Sequence, residues 1–285
     1  MNPWVRLMSK NVANICIMLI LPLVFIIIWF YLAKSIDNTV ILPSPAMVLQ
    51  LLSHPSENLI SMGSLTNNIF ISLLRVLAGY ILAVMLAIPL GILMGYYAKI
   101  FQLFNTFVGL FRPIPPLAWV PLVLAWFGIS SFATLTGVER GILFIYLNNI
   151  KLSMVFIIFI GAFYPVLTSA IYGVKNVKKT LIDSARVLGA SESDIFFKIL
   201  IPAAKPSIVN GMRIGLGVAW MCLVSAEMLP GSLSGIGYLI THAYTIARTD
   251  VVIAGMISIG VVGALMDTLF RIFEEKKFKW QRLIR

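Results

Sequence analysis

The chain has 285 residues, of which 60% are hydrophobic and only 12% are charged. A soluble domain is typically about 45–50% apolar and about 25% charged, so this composition excludes a disordered chain, a nucleic-acid-binding domain and an ordinary soluble enzyme. The 22 Lys and Arg residues exceed the 11 Asp and Glu residues, and in a helical membrane protein such an excess is typical of cytoplasmic loops. We therefore expect an all-α, polytopic membrane protein.

Six segments have the roughly 20 mostly apolar residues that a membrane-spanning helix needs. The first follows Arg6 and Lys10, but it is too long for the apolar part of a signal peptide and no small-residue cleavage site follows it. It is predicted to be a retained anchor, so that 1–68 form the anchor and an extracytoplasmic loop and 69–285 form the core. The predicted spans are 14–33, 69–94, 103–127, 152–172, 208–228 and 251–272.

The positive charges predict the orientation of these spans. With the N-terminus inside, sixteen of the 22 Lys and Arg residues fall in cytoplasmic segments and four in extracytoplasmic segments. Both termini are therefore predicted to be cytoplasmic. The same asymmetry explains the net charge of +11 without a nucleic-acid partner.

The third predicted span is interrupted by Arg112-Pro-Ile-Pro-Pro116. Prolines leave backbone carbonyls unpaired, and irregular backbone at membrane depth persists only where protein or a water-filled cavity covers it. The motif predicts either a broken helix that lines a pathway or a kink that serves packing alone.

Residues 130–149 form an apolar stretch that is short for a span. Thr136-Gly-Val-Glu-Arg140 separates it from the third span. An extracytoplasmic hairpin, a re-entrant segment and an interfacial helix are all compatible with it. A seventh full span is rejected, because it would place the seven basic residues from Lys175 to Arg213 outside.

Ionisable residues in the spans cost about 2.5–3.5 kcal/mol at a helix centre on insertion scales, so they are candidates for a pathway. Arg75 and Arg112 are such residues, although Arg75 could instead snorkel to the headgroups. Glu227 is expected to pair with either arginine or to belong to a gate. Asp267 is expected to form a local ion pair with Arg271, four residues later.

The other chemical signals are weak. Cys16 and Cys222 lie in apolar runs and predict no disulfide, and His54 and His242 lack the spacing of metal ligands. An intramembrane enzyme is disfavoured because neither HExxH nor GxSxG occurs.

The loop at 174–206 has the pattern of a helix, a turn and a second helix. The first helix is predicted over 181–188 and ends at Gly189, which suits a left-handed residue. Ser191 is predicted to cap the second helix, with Asp194 as its capping partner. That helix is expected to stop at Pro202. Its apolar residues Ile195, Phe196, Ile199 and Leu200 form one stripe, which indicates either docking of a soluble partner or a helix lying on the headgroups.

This loop resembles the EAA loop of permease subunits from binding-protein-dependent ABC importers. That pattern is E-A-A, three residues, Gly, nine residues and I-x-L-P. Here Asp183-Ser184-Ala185 stands for E-A-A, Gly189 follows at the right distance, and Ile199-Leu200-Ile201-Pro202 closes the pattern. The departures from the family pattern are Asp183 for Glu, Ser184 for Ala, and Ile201 for Leu.

Further motifs are similar to the nitrate, sulfonate, taurine and bicarbonate branch of that family. Residues 130–149 have no counterpart in the pattern of the branch. The matching motifs are Leu42-Pro-Ser-Pro45, Ser72-Leu-Leu-Arg-Val76, Ile88-Pro-Leu-Gly91, Arg112-Pro-Ile-Pro-Pro-Leu-Ala-Trp119, Trp126-Phe-Gly128, Ala226-Glu-Met-Leu229, Gly235-Ile-Gly-Tyr-Leu239, and Asp250 with Gly255-Met256.

The resemblance implies a type I ABC importer permease fold in the bacterial inner membrane. It also implies a non-catalytic subunit that dimerises with a second copy, sits in membrane lipid, and works with two ATPase subunits and an extracytoplasmic substrate-binding protein. This chain has no GxxxxGK[ST] loop and is expected to bind no cofactor, so ATP and Mg would belong to the ATPase. The residues expected to seat in the ATPase are Asp183, Ala185, Gly189, Ile195, Phe196, Ile199 and Pro202.

The resemblance implies import of a small anion of the branch. Neutral ring compounds, such as pyrimidine vitamin precursors, are the alternative within the class, and an ion-coupled secondary transporter is the less favoured alternative outside it. Trp119, Tyr164 and Trp220 could line an aromatic-friendly cavity or serve as packing anchors. The full set of predicted pathway or gate residues is Arg75, Arg112, Pro113, Pro115, Pro116, Trp119, Tyr164, Trp220 and Glu227.

Overall fold

The computed structural model describes residues 3–228 and 232–278. These residues form helices and connecting loops with no β-strand, which confirms the predicted all-α class. The helices are α1 (Pro3–Ile36), α2 (Pro45–Ser53), α3 (Leu65–Tyr96), α4 (Ala98–Phe111), α5 (Val120–Phe127), α6 (Phe132–Thr136), α7 (Ile142–Asn149), α8 (Leu152–Lys175), α9 (Lys179–Val187), α10 (Glu192–Asp194), α11 (Ile201–Glu227), α12 (Ile236–Thr245) and α13 (Thr249–Lys277).

Five helical segments are long and apolar enough to cross a membrane, and the bent pair around Arg112 makes a sixth. Each predicted span coincides with one of them. Most of the observed helices extend past at least one predicted end; α3, for example, covers Leu65–Tyr96 where 69–94 was predicted, whereas α11 ends at Glu227, one residue before the predicted end. Predicted features outside the described part of the structure are the side chains of Arg6, Lys10 and Cys16, together with Leu229, Lys279, Arg282 and Arg285.

The chain divides into two compact units. The first comprises Met1–Leu65 and Leu239–Ile257, and the second comprises Thr66–Tyr238 and Ser258–Arg285. In the first unit, the Trp29 indole N–H donates to the carbonyl oxygen of Pro43 at 3.0 Å. This bond ties the end of α1 to the loop that precedes α2. The predicted boundary between residues 68 and 69 stays a prediction.

Glycines hold three helices of the second unit close together. Gly91 of α3 lies against Ala170 of α8, where an added Cβ would come within 2.6 Å of the alanine Cβ. Gly211 of α11 lies against Ser169 of α8, so closely that an added Cβ would overlap the serine. Membrane helices associate through such small residues because the backbones can approach each other. Helices α3, α8 and α11 therefore form a tightly packed group.

The predicted break in the third span is confirmed. Helix α4 ends at Phe111, a 3-10 helix runs over Pro116–Trp119, and the axis turns by 83° between α4 and the segment that contains α5. Arg112 still has helical φ and ψ, but Pro113, Pro115 and Pro116 supply no N–H for a helical hydrogen bond. The later prolines also disfavour helical geometry at the residues before them, Ile114 and Pro115. The Arg-Pro-Ile-Pro-Pro run therefore ends α4 and redirects the chain.

The short helices α6 and α7 form the segment over 130–149 for which the sequence predicts no counterpart in the branch, and that lack of a counterpart stays a prediction. Gly137 and Gly141 adopt φ values of +66° and +92° between them, a region in which glycine is favoured. An antiparallel bridge between Ser131 and Lys151 closes the base of the segment. The 8 residues of α7 span about 12 Å, so this helix does not cross the membrane.

The cytoplasmic-loop prediction is confirmed at its turn and wrong at its end. Gly189 has φ +82°, and the Ser191 hydroxyl accepts a bond from the Asp194 N–H at 3.2 Å. The second helix does not stop at Pro202, because a π-helical segment over Ile195–Leu200 leads directly into α11. Pro202 then lies in the first turn of α11, where the missing N–H disrupts no bond of that helix.

We expect Gly211→Ala to destabilise the protein by about 1–3 kcal/mol, because the new methyl group meets Ser169 in the α8–α11 contact. Gly217 of the same helix has open space around its Cα, so Gly217→Ala is the matched control and is expected to be neutral or stabilising by up to about 1 kcal/mol. Thermal unfolding of the detergent-solubilised variants measures both. Equal midpoints for the two variants would contradict the tight packing.

Candidate functional site

A cavity of about 400 Å³ lies beside the break in the third span. Its wall is formed by the break itself, by the middle of α8 and by α11. Arg112 and Pro116 come from the break, and Tyr164, Thr168 and Ser169 come from α8. The proline run thus places an arginine and a 3-10 helix next to a helix that carries hydroxyl groups.

Arg112 is the charged residue among the described residues that line the cavity. Its side chain is exposed, and Arg112 N–H donates to the Val108 carbonyl at 2.9 Å, so the backbone still ends α4 in a helical manner. The Thr168 hydroxyl donates to the Tyr164 carbonyl at 2.8 Å, which leaves its oxygen lone pairs directed away from the helix. The cavity therefore offers one guanidinium and several hydroxyl groups in an otherwise apolar wall.

The other predicted aromatic residues have packing roles. Trp119 stacks on Phe111 with ring centroids 5.8 Å apart and meets Phe156 edge-on at 6.4 Å. Trp220 is only 4% exposed, and its indole N–H donates to the Ile259 carbonyl at 3.1 Å. Of the three aromatic residues, Tyr164 lines the cavity, while the packing alternative describes Trp119 and Trp220. Pro113 and Pro115 form the break without contributing to the cavity wall.

Arg75 and Glu227 form a buried ion pair. Arg75 Nη1 lies 2.6 Å from Glu227 Oε1, and the two side chains are 1% and 0% exposed. Glu227 also accepts hydrogen bonds from the Ser72 hydroxyl at 2.8 Å and from the Gly237 N–H at 3.1 Å. The carboxylate is thus fully surrounded by donors from α3 and from the start of α12.

The guanidinium of Arg75 also binds two other segments. Arg75 Nε donates to the Asn149 carbonyl at 2.7 Å, at the end of α7. Nη1 and Nη2 donate to the carbonyl and hydroxyl oxygens of Ser234 at 2.6 and 2.8 Å. Gly235 has φ +106° and lies so close to Glu227 that a Cβ would overlap the carboxylate. One arginine therefore joins α3, α7, α11 and the loop before α12.

This network excludes the alternative in which Arg75 snorkels, and it selects one of the two alternatives for Glu227. Arg75 does not snorkel to the headgroups, because its guanidinium is fully used inside the protein. Neither Arg75 nor Glu227 contributes to the wall of the cavity beside Arg112. Pairing with an arginine, one of the two alternatives for Glu227, is confirmed, and the partner is Arg75.

The predicted local ion pair of Asp267 is also wrong. Asp267 lies 3.5 Å from Arg213 of α11, and Arg213 is also 3.7 Å from Glu274. Residues four apart on α13 were expected to pair, but the neighbouring helix offers a cation between the two carboxylates. These contacts join α11 to α13 within the second unit.

The helix-turn-helix loop is held together by an exposed polar cluster. Arg186 Nε lies 3.0 Å from Glu192 Oε1, and the Tyr96 hydroxyl donates to Glu192 Oε2 at 2.7 Å. Asp183 of the EAA-like motif lies 3.6 Å from Arg186. The hydrogen bond from Arg186 to Glu192 raises the pKa of the Arg186 guanidinium. The cluster connects α9, α10 and the end of α3.

Two residues of the predicted apolar stripe pack inside the permease, so they do not present a docking surface in this structure, while the seating of the loop in the ATPase stays a prediction. Ile195 and Leu200 are 0% and 2% exposed, and Leu200 packs in one cluster with Ala170 and Val174 of α8. Phe196 packs partly buried against the same cluster. The π turn rotates the stripe onto α8 and α11. Val187 and Leu188, each 87% exposed, were missed because they end α9 outside any periodic stripe.

Comparison with known proteins decides the family. Residues 87–279 match the family described as the binding-protein-dependent transport system inner membrane component. The chain belongs to this family. Permeases of this kind are multi-pass proteins of the inner membrane and are not catalytic, because a separate ATPase subunit hydrolyses ATP.

Individual relatives agree with this membership. An ABC transporter permease protein of Methanocaldococcus jannaschii is 47% identical over 275 residues, which cover 96% of each chain. The taurine transport system permease protein TauC of Escherichia coli is 31% identical, covering 90% of this chain and 86% of the relative. The nitrate import permease protein NrtB of Synechocystis is 34% identical, covering 88% of this chain and 85% of the relative.

A solved structure agrees with the fold. An inward-facing structure of the MetNI methionine ABC transporter has a chain that matches this permease with a TM-score of 0.62. The match covers 78% of this permease and 98% of that chain, at 17% identity. It confirms the predicted type I importer permease fold, while the cytoplasmic position of the termini stays a prediction.

We expect Arg75→Met to destabilise the permease by about 3–5 kcal/mol, because it leaves the Glu227 carboxylate buried without its cation. The double variant Arg75→Met/Glu227→Gln removes both charges and is expected to recover part of that loss, since the amide oxygen at position 227 still accepts from Ser72 and Gly237. Thermal unfolding midpoints report the comparison. A double variant less stable than Arg75→Met alone would contradict the buried pair.

Proposed function

We propose that two copies of this permease form the substrate pathway of an ATP-driven importer for a small anion of the nitrate, sulfonate, taurine or bicarbonate type. The single observation that carries the anion assignment is Arg112 at the cavity of about 400 Å³. The relatives named for taurine and nitrate transport support the same class.

The chemistry of the cavity suits an oxyanion. A guanidinium presents parallel N–H donors that match two oxygens of a nitrate, sulfonate or carboxylate group. The described lining contains no Asp or Glu that would neutralise Arg112. The Ser169 hydroxyl lies on the α8 side, where it is placed to donate to a further oxygen of the same anion.

A neutral ring compound is the second candidate, because Tyr164 presents an aromatic surface in the same cavity. An ion-coupled secondary transporter is less favoured. Such a transporter needs membrane carboxylates that are free to bind the coupling ion. Glu227 is instead enclosed by Arg75, Ser72 and Gly237.

The loop between α8 and α11 is proposed to couple the permease to its ATPase subunits, which bind the ATP and Mg. Val187 and Leu188 present an exposed apolar tip beside Gly189, and exposed apolar patches mark sites of protein association. The Arg186, Glu192 and Tyr96 cluster holds this tip in position on the end of α3. Of the predicted seat residues, Asp183 and Gly189 act in positioning the tip, and Ile195 anchors it inside the permease.

The same arrangement suggests how movement reaches the cavity. Helices α3, α8 and α11 are packed through glycines, and the Arg75–Glu227 pair joins α3 to α11. The three helices are therefore proposed to move together when the ATPase subunits close. The bent α4–α5 segment is joined to the cavity through Arg112 and Pro116. A change in the angle between this segment and the three helices would open or close the cavity.

We expect Arg112→Ala to lower ATP-dependent uptake of the anion at least tenfold, because the cavity loses its cation. Arg112→Lys keeps the charge without the planar fork and is expected to retain part of the uptake with a raised KM. Arg271→Ala removes an equal charge from exposed α13 and is the control. Uptake is measured in liposomes that hold the permease, its ATPase and its binding protein; unchanged uptake by Arg112→Ala would contradict the anion site.

We expect Leu188→Asp to weaken binding of the ATPase subunit at least tenfold while leaving permease stability unchanged, because the side chain is 87% exposed in the permease alone. Leu188→Met keeps an apolar side chain and is the matched control, with binding near that of the unsubstituted permease. Co-purification and titration of the purified ATPase measure the affinity. Normal association of Leu188→Asp would place the coupling surface elsewhere.

A further inference from the structure

Residues 131–150, named here the α6–α7 hairpin, present an apolar surface that their own unit leaves uncovered. Ile142 and Ile145 of α7 are 76% and 60% exposed, and Leu135 of α6 is 66% exposed. The hairpin carries two charged residues, Glu139 and Arg140, and both lie in the turn between its helices. No charged residue occurs from Gly141 to Ile150. Exposed apolar surfaces of this kind mark sites that contact lipid or another protein.

The base of the hairpin lies at the end of a membrane helix. Phe132 N–H donates to the Ile150 carbonyl at 3.1 Å, and Leu152 N–H donates to the Ser130 carbonyl at 3.0 Å. Helix α8 begins at Leu152, and its 24 residues measure about 36 Å. With α8 centred in a hydrocarbon layer of about 30 Å, Leu152 lies about 3 Å beyond the hydrocarbon edge.

A second helix limits the level from the other side of the hydrocarbon edge. Arg75, which donates to the Asn149 carbonyl, lies ten residues after the start of the 32-residue helix α3. That helix measures about 48 Å, so when it is centred Arg75 lies about 6 Å inside the hydrocarbon edge. The end of α7 is therefore held at the boundary between hydrocarbon and headgroups, at the opposite end of α8 and α11 from the coupling loop.

We propose that the α6–α7 hairpin is an interfacial anchor whose apolar face lies in the lipid boundary. Interfacial helices carry Leu, Ile and aromatic residues toward the acyl chains and basic residues beside the headgroups. Tyr146 is 45% exposed on α7, and Arg140 and Lys151 stand at the two ends of that helix. The level, the side chains and the flanking charges all match a lipid surface.

The hairpin also joins this lipid contact to the buried ion pair. Asn149 accepts from Arg75 through its carbonyl at 2.7 Å and from the Ser234 hydroxyl through Oδ1 at 2.9 Å. Ser234 belongs to the loop that leads into Gly237, a donor to Glu227. Contact of α7 with lipid therefore helps to hold Arg75, Glu227 and this loop in one arrangement.

A nitroxide spin label on single cysteines tests the proposal in the reconstituted transporter. The background variant carries Cys16→Ser and Cys222→Ala, and labels are placed at Ile145→Cys on the apolar face and at Glu139→Cys in the turn. The readout is collision of the label with oxygen, which concentrates in lipid, and with a water-soluble nickel chelate. We expect oxygen to dominate several-fold at position 145 and the nickel chelate to dominate at position 139.

Three outcomes would overturn the proposal. Equal access of the nickel chelate at positions 145 and 139 would place the face in water. Protection of position 145 only after the binding protein is added would make the face a docking surface. Dipolar broadening between labels at position 145 would make it a contact between two copies. If Ile145→Cys does not assemble, Leu143→Cys, at a position 59% exposed on the same helix, carries the same test.

Discussion

The ion pair between Arg75 and Glu227 is the contact on which the far end of the helix group depends. Two opposite charges in an apolar interior stabilise a fold only when every remaining donor and acceptor is also paired. Ser72, Asn149, Ser234 and Gly237 supply those partners from four segments of the chain. The pair therefore specifies where α7, the end of α11 and the start of α12 meet α3.

The opposite end of the same helices is arranged by different means. There the Tyr96 hydroxyl and the Arg186 guanidinium hold Glu192, and the π turn directs Ile195 and Leu200 onto the core. Between the two ends, glycines such as Gly91 and Gly211 keep α3, α8 and α11 in backbone-level contact. A group of helices pinned at both ends and closely packed between them can transmit a displacement without absorbing it.

Much of the fold could be predicted because membrane-spanning helices are identified by their length and apolar composition. The turn of the loop could also be predicted, since Gly189 and Ser191 act within a few residues of their own positions. The long-range partners of the charged residues could not be selected from the sequence. The sequence named both Arg75 and Arg112 as partners for Glu227 and did not select Arg75, which lies 152 positions earlier. It also did not indicate that Asp267 meets Arg213 rather than Arg271. The π turn was also missed, because the 3.6-residue period predicted an ordinary helix that stops at Pro202. For the same reason the sequence did not indicate that Ile195 and Leu200 face the core.

We propose that an ATP-driven motor, and not an ion gradient, moves a small anion past Arg112. The most direct measurement is uptake of radiolabelled nitrate, taurine and bicarbonate into liposomes that contain the permease, its ATPase and its binding protein. ATP enclosed in the vesicles, or an imposed proton or sodium gradient, supplies the energy in separate samples. We expect saturable uptake of one of these anions that requires ATP and is indifferent to the gradients. Uptake that follows a gradient in the absence of ATP would contradict an ATP-driven importer.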